Sequence, residues 1–163
     1  MSQFLVGKKV LIVDDEADVF ETLNELLDMC SVDYAQDFKT AKKFLLETNY
    51  DAAILDIMGV DGYKLLTLAR QREIPALMLT AHALSPDNLK KSIERGADAY
   101  IPKDKMVDIS MYVEDVLISR PNNRKNNFKC YAGMMTFFDK FFGEGLKEPE
   151  KEFWDEFDKK HVE

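Results

Sequence analysis

With 163 residues, 46% hydrophobic and 32% charged, the chain can bury one core without needing disulfides or a structural metal. The net charge of -8 argues against a nucleic-acid-binding surface, which needs clustered excess Lys and Arg. No apolar run approaches the roughly 20 residues of a membrane span. The first apolar run, bracketed by Lys8-Lys9 and Asp14-Asp15, is too short for a signal peptide. Cys30 and Cys130 lie far apart and form no metal or redox spacing. The expectation is a cytoplasmic protein that binds neither nucleic acid nor membrane.

Short β-rich runs start at Val10, Val32, Ala52, Ala76 and Ala99, a nearly even spacing. Helical stripes fill the intervals: Val19, Leu23, Leu26 and Leu27, then Ala41, Phe44 and Leu45. Leu65, Leu66, Leu68 and Ala69 form a third, and Leu89, Ile93 and Ala97 a fourth. A fifth helix is expected over about residues 105–119, with Met106, Ile109, Tyr112, Val113, Val116 and Leu117 facing inward. Strands alternating with helices predict βαβ units, a parallel sheet and helices on both faces. Ser85-Pro86 reads as a helix start, Arg95-Gly96 as a helix end, and Asp61 as a cap for a helix beginning near Gly62.

The character changes after the fifth helix. Residues 1–119 read as one domain and the Asn-rich residues 120–127 as a linker. Residues 128–163 read as an amphipathic helical extension, rich in Phe and broken by Gly143-Glu144-Gly145.

Polar groups gather at the strand ends: Asp14-Asp15 after the first, Asp56 at the third, Thr80 at the fourth, Lys103 after the fifth. In an open parallel sheet the carboxyl ends share one edge, where ligands bind. Two carboxylates about 4 Å apart repel by roughly 4 kcal/mol at an effective dielectric near 20. A hard divalent cation relieves that repulsion, and a partly hydrated, phosphate-binding site favours Mg²⁺. An ionised Asp beside it is a nucleophile suited to forming an acyl phosphate, with Lys103 stabilising the transferred group. Singly, each has a plainer reading. Asp56 serves as a turn or helix cap, Asp14-Asp15 as a solvated strand end, Thr80 as a β-branched strand residue, Lys103 as a surface lysine. Their joint placement favours the chemical reading. His82 is read as a solvent-facing loop residue, and His161 carries no signal.

Four segments, Val10 to Glu16, Leu55 to Met58, Met78 to Ala81 and Gly96 to Lys103, together resemble the CheY-like receiver domain of bacterial two-component response regulators. The resemblance covers roughly residues 6–119. It implies a flavodoxin-like, doubly wound, five-stranded parallel sheet of order 2-1-3-4-5. It also implies that Asp56 accepts a phosphoryl group from a histidine kinase or histidine phosphotransfer protein, a Mg²⁺-dependent step catalysed by the domain itself rather than by a turnover enzyme. Asp15 is then a direct Mg²⁺ ligand, Asp14 acts largely through water, and Asp56 and the Met58 carbonyl complete the set. Lys103 would contact the phosphoryl group, and Thr80 would swing toward it, letting Tyr100 change rotamer. Output would pass by contact with a downstream protein or through a homodimer, the tail modulating either.

Two features depart from the family pattern: the run from Asp56 to Gly62 is about two residues short and lacks Pro, and Pro102 precedes Lys103 instead of following it. The alternative is a pseudo-receiver scaffold that works without phosphate. A phosphatase of another α/β fold would want a second Asp two residues after the nucleophile, where Met58 stands.

Overall fold

A computed structural model describes residues 3–57, 59–81 and 86–119. Met58, His82, Ser85 and the whole of the expected linker and extension, 120–163, lie outside the described residues. Strands and helices alternate as β1 (Lys9–Val13), α1 (Ala17–Leu26), β2 (Ser31–Ala35), α2 (Phe38–Glu47) and β3 (Ala52–Asp56). Then follow α3 (Gly62–Gln71), β4 (Ala76–Thr80), α4 (Pro86–Glu94), β5 (Ala99–Pro102) and α5 (Ile109–Ser119). A 3-10 turn, Gln3–Leu5, precedes β1, and a 3-10 segment, Lys103–Asp108, joins β5 to α5.

The strands form one parallel sheet in the expected order, β2-β1-β3-β4-β5. Val10 pairs with both Val32 and Ala52, Ala53 with Ala76, and Leu77 with Ala99. This in-step register brings every carboxyl end to one edge. Every residue of β3 and β4 is buried, as continuous apolar runs in a doubly covered sheet require.

Strand alternation sorts the core into two layers. Leu11, Val13, Leu55, Met78 and Tyr100 pack with Ala41 and Leu45 of α2 and Leu65, Leu66 and Ala69 of α3. Ile12, Ile54, Leu77, Leu79 and Ile101 pack with Val19 and Leu23 of α1 and Ile109, Val113, Val116 and Leu117 of α5. Each fully buried Leu or Ile contributes about 1.5–3 kcal/mol.

Two local details revise the sequence reading. The fifth helix begins later than expected: residues 103–108 wind as 3-10 helix, and regular α-helix starts at Ile109. Asp61 does precede α3, but it sits at φ 58° and its side chain makes no capping bond. Its carboxylate pairs with Lys64 at 3.2 Å instead. Tyr100 lies on the edge strand β5 and is fully buried. The end of α4 is as read: the Arg95 N–H donates to the Lys91 carbonyl at 3.0 Å, and Gly96 takes φ +86°. Pro102 ends the edge strand β5, where a missing N–H is tolerated.

Candidate functional site: an acidic pocket at the carboxyl edge of the sheet

Asp14 follows β1 directly and is held from three sides. Its N–H donates to the Ala35 carbonyl at 3.2 Å. The Tyr34 hydroxyl donates to its carbonyl at 2.8 Å, and the Glu16 N–H donates to Oδ1 at 2.8 Å. Tyr34 is itself stacked on Phe20, with ring centroids 4.1 Å apart. The buried Asp14 Oδ2 makes no aligned hydrogen bond. It forms an ion pair with the Lys103 ammonium, 3.1 Å away.

Lys103 opens the 3-10 segment, and its Nζ also lies 3.2 Å from Glu16 Oε1 and 3.6 Å from Asp56 Oδ1. The reversed Pro102-Lys103 order therefore does not prevent the ammonium from reaching the pocket. Burial alone would lower its pKa, but Asp14 and Asp56 outweigh burial and raise it.

Asp56 ends β3 and is buried. Burial, and then the charge of Asp14, push its carboxyl from an ordinary 3.8 up to about 7, against the pull of Lys103; Asp15 and Glu16 add to the rise. Burial also raises Asp14, against its bond from Glu16 and the pairing with Lys103. One lysine does not neutralise this group of carboxylates.

The short loop behind Asp56 is shaped by two glycines. Gly59 has φ +75°, and a Cβ there would lie 2.7–2.9 Å from the Asp15 carboxylate atoms. A Cβ on Gly62 would run into the Asp56 carbonyl oxygen. The Gly62 N–H donates to the Ile57 carbonyl at 3.3 Å, closing the turn. The turn in this form depends on both positions lacking a side chain.

These residues fit a hard divalent cation. Carboxylate oxygens of Asp14, Asp15 and Glu16 lie within 4.8 Å of one another. Asp14 Oδ2 makes no aligned hydrogen bond and is ion-paired with Lys103, which leaves it acceptor capacity for a cation. Oxygen-only donors and a surplus of negative charge suit Mg²⁺.

Thr80 closes β4, one residue beyond Leu79, the register partner of Asp56. It is the side-chain hydrogen-bonding partner of Tyr100, whose hydroxyl pKa is raised by burial and then by neighbouring Tyr63. Of the expected site residues, Asp14, Asp56 and Lys103 are brought into contact, Asp15 lies beside them, and Thr80 and Tyr100 form an adjacent pair. Glu16 and Tyr34 were not anticipated. Glu16 was visible as the third acid of its run, whereas nothing in the sequence marked Tyr34.

An acidic pocket with one partly buried lysine, at the carboxyl edge of a 2-1-3-4-5 parallel sheet, defines the CheY-like class of signalling domains. The chain belongs to the response regulator receiver domain family, whose model matches residues 10–113. Receiver domains take a phosphoryl group on an aspartate, bind Mg²⁺ in the acidic pocket, and work with histidine kinases or phosphotransfer proteins. The Arabidopsis thaliana two-component response regulator ARR10 is 30% identical over 140 residues, covering 82% of this chain and 25% of that protein. The phosphate regulon transcriptional regulatory protein PhoB of Pseudomonas aeruginosa is 36% identical over 107 residues, covering 61% and 46%. A solved response regulator from Chloroflexus aurantiacus superposes with TM-score 0.62 at 30% identity, covering 69% of this chain and 98% of that one. The chain spans less than half the length of these two curated relatives. A plant relative among them shows that the family is not confined to bacteria. Among the described residues no helix is long and apolar enough to cross a membrane.

Proposed function

We propose that Asp56 is the phosphoryl acceptor of this receiver and that Lys103 contacts the transferred group. The observation that carries this is the convergence on Lys103 Nζ of Asp14 at 3.1 Å and Asp56 at 3.6 Å, in a pocket that raises the Asp56 carboxyl to about 7. An Asp56 oxygen attacks the phosphorus of a phosphohistidine. The new O–P bond forms as the P–N bond breaks, and the electron pair leaves with the imidazole. Lys103 offsets charge on the phosphoryl oxygens. Mg²⁺ held by Asp14, Asp15 and Asp56, with the Met58 carbonyl as a further donor, would supply the charge that keeps Asp56 ionised. Water later attacks the acyl phosphate and restores the carboxylate, so the chain is a switch and not a turnover enzyme.

The bond between Thr80 and Tyr100 supports a switch role for that pair, the threonine leaving the tyrosine when it turns to the phosphate. The donor would be a histidine kinase or phosphotransfer protein, and output would pass to a downstream protein or through a homodimer. The domain would end near residue 119, with 120–127 a linker and 128–163 modulating output. Incubation with acetyl phosphate and Mg²⁺ should add one phosphoryl group to the intact mass, and none to Asp56→Asn. Equal labelling of that variant would remove Asp56 from the role.

A further inference from the structure

We infer that Glu16 is a positioning residue, tethering the Lys103 ammonium at the rim of the pocket and competing with the phosphoryl group for it. The inference rests on the reading of Asp56 as acceptor and Lys103 as its phosphoryl contact. Glu16 occupies the N-cap position of α1 with extended backbone, φ -97° and ψ 111°, yet its side chain makes no capping bond. Its backbone N–H is used on Asp14 Oδ1. The side chain instead accepts a hydrogen bond from Lys103 Nζ at 3.2 Å, bridging 87 positions of sequence. Of the three carboxylates around Lys103, the acceptor is the farthest, at 3.6 Å against 3.1 and 3.2 Å.

The two nearer holds differ in kind. Asp14 is buried and fixed by its backbone partners, whereas the Glu16 side chain is 60% exposed. A long, solvated carboxylate forms a weak and easily broken pair. Glu16 thus draws Lys103 toward solvent in the resting protein and gives it up when three phosphoryl oxygens arrive beside Asp56. Its removal leaves Lys103 shared only between Asp14 and Asp56, nearer its place in the phosphorylated state.

The test uses the full chain as wild type, Glu16→Gln, Lys103→Met and the double variant. Three quantities are measured: Mg²⁺ affinity, beryllofluoride affinity at saturating Mg²⁺ by NMR titration, and the rate of labelling by acetyl phosphate. Glu16→Gln should bind beryllofluoride about three- to fivefold more tightly and label faster by a similar factor, the size expected for loss of one exposed ion pair. In the Lys103→Met background the same substitution should change neither. The melting temperature should stay near wild type, since Glu16 makes no side-chain capping bond. Mg²⁺ affinity should fall by less than about twofold, as expected for a neighbouring charge of the acidic group that is not itself a ligand. Unchanged or weaker beryllofluoride binding by Glu16→Gln overturns the tether. Equal tightening in the Lys103→Met background overturns it too, because the carboxylate would then act on the anion directly. A several-fold loss of Mg²⁺ affinity would make Glu16 a metal ligand instead. A wild type that takes neither beryllofluoride nor phosphate would point elsewhere, to the acceptor assignment beneath the inference.

Discussion

Replacing Asp56 by Asn tests the electrostatic account of the pocket without any phosphoryl donor. The folded protein holds the Asp56 proton up to about pH 7, whereas the unfolded chain releases it near 3.8. An acid whose folded pKa is raised stabilises the fold below its unfolded pKa, and that contribution is lost as pH rises through the folded value. Lifting the carboxyl from 3.8 to about 7 makes the folded anion unfavourable by roughly 4 kcal/mol once fully ionised. About 1.7 kcal/mol of that is already lost by about pH 5, which leaves roughly 2–3 kcal/mol between about pH 5 and about pH 8. Asn keeps the shape but does not titrate, so the stability of Asp56→Asn relative to wild type should rise by that amount over the interval. Urea unfolding in EDTA at several pH values measures the difference, and any fixed effect of the substitution cancels in the comparison. In melting curves the change corresponds to roughly 4 °C per kcal/mol for a domain of this size. A difference that stays flat, or narrows with rising pH, would refute the claim that buried negative charge dominates this pocket.

Mg²⁺ should raise the melting temperature of wild type, by about 1.4 kcal/mol of stability at ten times its Kd. Asp15→Asn should lose most of that gain while being more stable than wild type in EDTA, and marked destabilisation in EDTA would argue against a repulsive cluster. Gly59→Ala should cost about 1–2 kcal/mol through its positive φ. Because its methyl must displace the Asp15 carboxylate, it should also weaken Mg²⁺ binding in a calorimetric titration. Gly62→Ala should destabilise by about 1–3 kcal/mol in urea unfolding, since its Cβ meets the Asp56 backbone and not a yielding side chain. Tyr63→Phe should cost about 1 kcal/mol by the same measurement, because the Tyr63 hydroxyl joins α3 to α4 through Asn88 at 3.1 Å.

The sheet could be read from the chain because its signal is local. Val10 to Val13, Ala52 to Leu55 and Ala76 to Leu79 are apolar on both faces, and in the structure they are buried on both faces. Asp14, Asp56 and Lys103 could be read because a parallel sheet places strand ends together whatever the side chains do next. The Glu16 contact with Lys103 could not, since Glu16 lies past the strand end, and a helix start beside it offered a sufficient explanation. Asp61 misled for a related reason: its residue type suits a cap, but φ 58° sends its carboxylate to Lys64. The late start of α5 was hidden because an apolar stripe does not distinguish a 3-10 turn from the first turn of an α-helix.

The shortened loop and the crowded acids are two sides of one arrangement. Gly59 lies against the Asp15 carboxylate and Gly62 against the Asp56 carbonyl, so the turn packs closely on both carboxylate-bearing segments. Asp56 is left with little access to water, and that burial is the largest cause of its raised pKa. A poorly ionised acceptor is a poor nucleophile, so the same packing makes phosphoryl acceptance depend on added positive charge. The loop that departs from the family pattern therefore strengthens the need for a cation at this pocket.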